Sequence, residues 1–401
     1  MARTLQNASA HSTAASSSAR DTERRRYNRP MSDALLGGLT PEAFLRRYWQ
    51  KRPLLVRSAV ADCKNLFSRA ALVGLACRDD VESRLVLRER GRWSLSHGPF
   101  RAAHLRALPP RGWTLLVQGV NLHLAAGDAL LRRFGFIPYA RLDDLMVSVA
   151  APGGGVGPHF DAYDVFLLQA SGRRRWRLSR QRDLALVPGR PLKILARFRP
   201  DAECTLAPGD MLYLPPGCAH DGVALDAGTT CSIGFRAPSA QELATGFLDW
   251  LRDDIALEGR YADPGLRPTR EPALIGSAMR ERCAEILRRL RWDRTRTDLF
   301  LGCHLTEPKP AVLFAPPRRP LAARAFATAA ARRGVRLDQR TQLLYDDRSM
   351  FINGAAISRP RAASRALERL ANARRLGAGD VPATAIGLLY GWYRDGCLHL
   401  A

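Results

Sequence analysis

Residues 152–176 read PGGGVGPHFDAYDVFLLQASGRRRW, and the reading of this stretch decides the fold. His159 and Asp161 stand two apart, and in a strand residues i and i+2 point to one face. Their side chains could then grip one ion from one side of a sheet. The glycine-rich approach lets backbone pass close to such a site. The best third ligand is His220, in APGDMLYLPPGCAHDG, where a buried strand Met211–Leu214 ends at the turn Pro215-Pro216-Gly217. A His–carboxylate–His set on one side of an ion leaves the other side open, a pattern that suits non-haem Fe(II). The plainer alternative is two hydrogen-bonded histidines that never meet.

Arg173-Arg174-Arg175-Trp176 follows. Alternation puts Arg174, Trp176 and Leu178 on one face and Arg173, Arg175 and Arg177 on the other. An arginine turned into a small barrel is costly unless it meets an anion. A dicarboxylate whose far carboxylate forms a bidentate pair with Arg174 fits that need. The outward arginines read as a basic strip toward acidic surface.

These residues and several further segments resemble the bacterial JmjC-type ribosomal oxygenases, in particular the arginine hydroxylases of a large-subunit ribosomal protein. The segments are Tyr48–Pro53, Ser96–Phe100, Leu115–Gln118 with Val120-Asn121, Asp143–Met146, residues 152–176, Pro208–Gly217 and Gly234–Pro238. The resemblance implies Fe(II) at His159, Asp161 and His220. It implies 2-oxoglutarate at Arg174, with Ser148 on the adjacent strand as helper, and O2 as second cosubstrate. It implies hydroxylation of an arginine side chain at its β-carbon. Asp144 would then hold the guanidinium, with Tyr163 and Ser232 lining the pocket; a turn-capping role for Asp144 is the alternative. Two rival functions stand beside this one. A related oxygenase could hydroxylate a histidine of a ribosomal protein, or a cupin-fold ribosome-binding or assembly factor could have lost its chemistry. Nothing suggests an aromatic cage for methylated lysine.

The fold class expected is mixed α+β. Many short strands with Gly/Pro turns indicate a closed or sandwiched β architecture, and the resemblance specifies a double-stranded β-helix, the cupin or JmjC jelly roll. After Pro238 the period becomes helical. Ser239 with Glu242 forms a capping box, opening an amphipathic helix over 239–257 with Leu243, Phe247, Trp250, Leu251 and Ile255 in its stripe; a second helix is expected over 278–291. The resemblance makes this region the dimerisation element. The last hundred residues read as helix, strand pair, helix, helix, a winged-helix-like order, although the hairpin tip carries Asp346 and Asp347, wrong for phosphate. The expected divisions are a basic tail over 1–32, a catalytic domain over 33–238, a helical dimerisation region over 239–300 and a winged-helix-like domain over 301–401.

Composition bounds the partners. The chain of 401 residues carries a formal net charge of +24 and is 46% hydrophobic. The charge favours polyanions and suggests weak nonspecific RNA contact, though the excess of Arg over Lys also fits a genome-wide bias. Eight cysteines without a Cys-x-x-Cys argue against structural zinc. With no secretory apolar segment they read as reduced thiols of a cytoplasmic protein. No run approaches a membrane span. The tail is rich in Ser, Ala and Arg, and Asp21 and Glu23 speak against a transit peptide.

Overall fold

The computed structural model describes residues 32–61, 63 and 66–401. The expected basic tail lies outside the described residues up to its last position, Ser32, which begins the short helix Ser32–Leu35. The chain divides into two compact units. The first holds residues up to 118 together with 129–136 and 144–234; the second holds 119–128, 137–143 and 235–401.

The first unit is built from β1 (Leu54–Val56), β2 (Ser83–Glu89), β3 (Arg92–His97), β4 (Trp113–Val117), β5 (Leu142–Ala150), β6 (Val165–Ser171), β7 (Arg174–Ser179), β8 (Ala202–Leu206), β9 (Met211–Leu214), β10 (Ala219–Ala224) and β11 (Gly228–Phe235). Eight of them form one sheet in the order β1-β9-β6-β11-β5-β4-β2-β3, and three form a second in the order β10-β7-β8. Every pairing registered is antiparallel. Val165, Leu167, Leu212 and Leu214 from the large sheet pack against Trp176, Leu178 and Leu206 from the small one. That shared cluster marks the inner faces of a double-stranded β-helix, since directly paired residues of antiparallel strands share a face.

Parity then assigns the rest. Ser232 pairs with Leu167, so it faces inward. His220, Gly222 and Ala224 pair with Leu178, Trp176 and Arg174, so they line the same interior from the small sheet. The buried/half-buried alternation of β7 places Arg174, Trp176 and Leu178 inside and Arg175 and Arg177 toward the rim, as alternation predicts.

The floor of the unit is tied by polar groups. Asp164, fully buried, accepts from the Tyr213 hydroxyl at 2.6 Å and Gln50 Nε2 at 3.0 Å, and Tyr213 Oη in turn accepts the Gln50 backbone N–H at 2.7 Å. The Tyr48–Pro53 segment is thus an anchor beneath the metal loop. The helix Pro41–Arg47 before it is capped by Thr40 and has Pro at its start, as the sequence indicates. The next helix spans Arg69–Ala76, with Ser68 at its N-cap.

Within the C-terminal part of the second unit comes the helix Ala240–Asp254, opened by the expected Ser239/Glu242 capping box and ending three residues before position 257. Helices Ser277–Leu287 and Arg294–Thr306 follow. The last was not expected from the sequence and crosses the division at 300/301. Beyond it stand the helices Ala323–Arg333, Ser364–Ala373 and Ile386–Arg394, with β12 (Val335–Leu337), β13 (Leu343–Tyr345), β14 (Ser349–Ile352), β15 (Ala355–Ser358), β16 (Arg375–Leu376) and β17 (Leu398–Leu400). They make two three-stranded sheets, β16-β12-β17 and β13-β14-β15, around a core that includes Phe326, Leu367, Leu370 and Leu389.

Candidate metal centre

His159 and Asp161 do not lie on a regular strand, contrary to the sequence reading. Residues 153–161 run as an irregular edge along β10. The backbone N–H of Gly153 donates to the Ala224 carbonyl, and those of His159 and His220 donate to each other's carbonyls at 2.9 and 2.8 Å. The glycines permit this approach. A Cβ on Gly155 would stand 2.6 Å from the Gly222 carbonyl oxygen, so no other residue lets the loop lie so close to β10.

The reciprocal bond makes His159 and His220 a cross-strand pair, and such pairs place side chains on one face. Their ring centroids are 4.2 Å apart. His220 Nε2 lies 3.8 Å from Asp161 Oδ2. One ligand atom from each of His159, Asp161 and His220 falls within 4.8 Å of the others. The geometry is that of a three-ligand face.

Both imidazoles are oriented for it. His159 Nδ1 lies 2.9 Å from the Gly157 carbonyl oxygen and His220 Nδ1 2.8 Å from that of Cys218. A carbonyl only accepts, so each Nδ1 carries the proton and each Nε2 lone pair is free for a metal. Burial, reinforced by His159, pushes the His220 imidazole well below its ordinary pKa. It stays neutral, the ligating form. Cys218 is no competing ligand: burial lifts its thiol to about 11, and the side chain packs on the apolar cluster between the sheets.

Next to the triad, Trp176 lies 5.7 Å from His220, centroid to centroid. Gly222, cross-strand from Trp176, leaves room for it, since a Cβ there would meet the indole at 2.6 Å. Arg174 lies deeper and is 6% exposed. Its Nε has no hydrogen-bond partner, and burial lowers its pKa to about 10. Trp176 Nε1 and Thr114 Oγ1 are likewise buried without a partner. Thr114 faces the same interior, because Thr114 and Leu116 pair with Ala150 and Ser148. Two buried polar donors and a buried cation that forms no ion pair, the nearby Asp221 being engaged by Arg177, fit a small dicarboxylate. Thr114 and the Trp176 N–H were not singled out in the sequence; an isolated Thr or Trp in an apolar strand gives no signal there.

Ser148 differs from expectation. It lies on β5 of the facing sheet, whereas the neighbours of β7 are β10 and β8. Its hydroxyl donates to the Thr230 carbonyl at 3.3 Å. The outward arginines differ too. Arg177 pairs with buried Asp221 at 2.5 Å and Arg173 with Asp226 at 2.7 Å at the exposed surface, so two of the three are engaged by carboxylates of this chain and form no free strip.

The expected substrate residues meet at the other end of the interior. Asp144, 3% exposed, is the third residue of β5 and not a turn cap. Its Oδ2 accepts from Gln118 Nε2 at 2.7 Å, and Gln118 Oε1 accepts from Arg84 at 3.4 Å. Gly234 separates Asp144 from Tyr163. A Cβ on Gly234 would be 3.8 Å from Asp144 Oδ1 and 3.9 Å from the Tyr163 ring. Tyr163 is 42% exposed. Ser232 is two residues from Gly234 on the same strand face. Asp144 and Tyr163 thus flank Gly234, the carboxylate buried and the ring half exposed, with Ser232 on the same strand face.

The comparisons with known proteins agree with this geometry. A sequence profile described as a JmjC domain matches residues 129–243, and one described as a ROXA-like winged helix matches residues 289–399. The chain is 37% identical over 278 residues to the ribosomal protein uL16 3-hydroxylase of Escherichia coli, covering 69% of this chain and 74% of that protein. It is 38% identical over 213 residues to a probable ribosomal oxygenase of Haemophilus influenzae, covering 52% of each. Among solved structures, the Escherichia coli ribosomal oxygenase YcfD in complex with cobalt and 2-oxoglutarate superposes with a TM-score of 0.76 at 32% identity, over 90% of this chain and 98% of that one. The chain belongs to the bacterial JmjC-type ribosomal oxygenases.

Proposed function

We propose that the protein is an Fe(II)- and 2-oxoglutarate-dependent oxygenase that hydroxylates the β-carbon of an arginine side chain in a large-subunit ribosomal protein. The observation that carries this reading is the triad His159, Asp161 and His220 beside a buried arginine whose Nε has no hydrogen-bond partner. Bound Fe(II), with 2-oxoglutarate and O2, supplies the oxidant that turns an unactivated C–H into C–OH, releasing succinate and CO2.

The protein's own residues hold and orient. His159 and His220 offer Nε2 because their Nδ1 protons are tied to carbonyls. Arg174 takes the far carboxylate of 2-oxoglutarate, helped by the Thr114 hydroxyl and the Trp176 N–H. Ser148 can join only by turning its hydroxyl from Thr230. Asp144 receives the substrate guanidinium, its orientation set by Gln118; Tyr163 covers the aliphatic stem and Ser232 lines the wall. The buried Asp144 carboxylate favours a cation over a neutral imidazole, which supports arginine over histidine as substrate.

The remaining assignments follow from the same reading. Residues 33–238 form the catalytic domain, 239–300 the dimerising helices and 301–401 the winged-helix-like domain, with Arg294–Thr306 at their junction. Leu248, Met279, Leu287 and Trp292 are each 46 to 62% exposed, and apolar surface of this kind supports burial against a second copy. No helix of the described residues is long and apolar enough to cross a membrane, and a ribosomal substrate supports a cytoplasmic location with weak RNA contact. The test is turnover in vitro. Purified protein with Fe(II) and 2-oxoglutarate should form succinate only when the ribosomal protein is added, and should add one oxygen to one arginine of it. Succinate without a modified substrate, or a modified histidine, overturns the substrate assignment.

A further inference from the structure

The first unit holds a cavity of about 410 Å3 apart from the triad. Trp113 at the start of β4 and Val149 near the end of β5 line it, and none of His159, Asp161, His220, Arg174, Thr114 and Trp176 does. Trp113 precedes Thr114 and Val149 follows Ser148, both of which face inward. Alternation therefore turns Trp113 and Val149 away from the interior that holds the triad. The walls are preorganised. Trp113 Nε1 donates to the Pro109 carbonyl at 2.7 Å, and the Trp113 carbonyl accepts from the Ala151 backbone N–H at 3.1 Å. The Gly112 backbone N–H donates to the Pro152 carbonyl at 3.0 Å. Gly112 has a φ of +81°, and a Cβ there would stand 2.9 Å from the Arg88 carbonyl oxygen, so glycine alone suits this corner. Pro109 and Pro110, which also line the cavity, fix their own φ.

Arg69 is the one charged residue of this lining, which contains no acid. It is the first residue of the helix Arg69–Ala76, positioned by the Ser68 cap. Its guanidinium carbon lies 5.4 Å from the Trp113 ring centroid. Among the described residues its side chain enters no hydrogen bond or ion pair. A contact with a ring face leaves the N–H forks of a guanidinium free for an anion. The other side chains at the cavity include Phe67, Leu108 and Val149, which offer apolar surface. The volume lies within the range of small-molecule sites and far exceeds what a lone inorganic anion fills. We propose that this cavity is a second ligand site, which takes a small organic carboxylate with a flat apolar body. Arg69 receives the carboxylate, and the proline loop with Phe67 and Val149 covers the body.

The probe is 2-naphthoate, a flat aromatic carboxylate. It is titrated by calorimetry into the full chain in the presence of Mn(II) and saturating 2-oxoglutarate, which keeps it from the cosubstrate's place. One equivalent per chain should bind. Arg69→Ala should weaken binding at least about tenfold, the loss expected when a charge-assisted contact is removed. 2-Naphthalenemethanol, the same body without the charge, should bind the wild type no better than naphthoate binds Arg69→Ala. Ala227→Trp, at an exposed position of the lining, fills the cavity and should abolish binding while the unfolding midpoint is kept. Absence of binding by the wild type up to about 1 mM naphthoate overturns the proposal. So does binding that neither substitution changes, which puts the probe elsewhere on the protein. Naphthoate binding seen only when 2-oxoglutarate is left out also overturns it, because the probe then sits in the interior.

Discussion

Replacing Arg174 with methionine should stabilise the metal-free, ligand-free protein while removing its response to 2-oxoglutarate. Burial lowers the pKa of this guanidinium from its ordinary value to about 10. At about 1.4 kcal/mol per tenfold in proton affinity, holding the charge inside costs about 3 kcal/mol. The folded-state pKa lies below the unfolded one, so the cost is present in full at every pH below about 10 and fades only above it. Methionine fills most of the volume without the charge. The lost contact with Trp176, where the guanidinium carbon lies 5.7 Å from the ring centroid, returns about 1 kcal/mol of that. A net gain of about 2 kcal/mol should raise the unfolding midpoint by roughly 4–8 °C in a unit of this size. The assay is thermal unfolding with and without Mn(II) and 2-oxoglutarate. Wild type should gain several degrees from 2-oxoglutarate and Arg174→Met none, starting from a higher baseline. If the variant unfolds at a lower temperature than wild type and still responds to 2-oxoglutarate, Arg174 is a structural cation and the cosubstrate lies elsewhere.

Other substitutions separate the parts of the site. Gln118→Leu leaves buried Asp144 without its 2.7 Å donor and should raise KM for the ribosomal-protein substrate about tenfold, with KM for 2-oxoglutarate unchanged; steady-state kinetics on both substrates checks this. Gly222→Ala puts a methyl 2.6 Å from the Trp176 indole and should cost about 1–3 kcal/mol of stability by denaturant unfolding, with a loss of 2-oxoglutarate affinity. His159→Ala should abolish stoichiometric binding of Fe(II) or Mn(II) in calorimetry while leaving the fold intact by circular dichroism.

The candidate metal triad was legible because its signals are local. His159 and Asp161 stand two residues apart, and the turn after Leu214 presents His220 toward them. The regular strand inferred for them was wrong, since the glycine loop follows β10 as an irregular edge held by the His159–His220 backbone pair. The inward face of Arg174 was legible by alternation. The engagement of Arg173 by Asp226 and of Arg177 by Asp221 was not, because each partner comes from far along the chain. The same holds for Asp164, bound by Gln50 and Tyr213. The helix Arg294–Thr306 was hidden by its threonines and Gly302, a poor helical composition held by packing, although Asp293 is an N-cap signal that could have revealed it. Strands as short as β12, β16 and β17 show no readable period.

Mass spectrometry of the large-subunit proteins from cells with and without this gene tests the central claim most directly. The account predicts that one arginine of one large-subunit protein loses one oxygen, about 16 mass units, when the gene is deleted. The oxygen should return with the wild-type gene and not with His159→Ala, since metal turnover requires the ligand. If no large-subunit protein changes mass, the ribosomal assignment is contradicted.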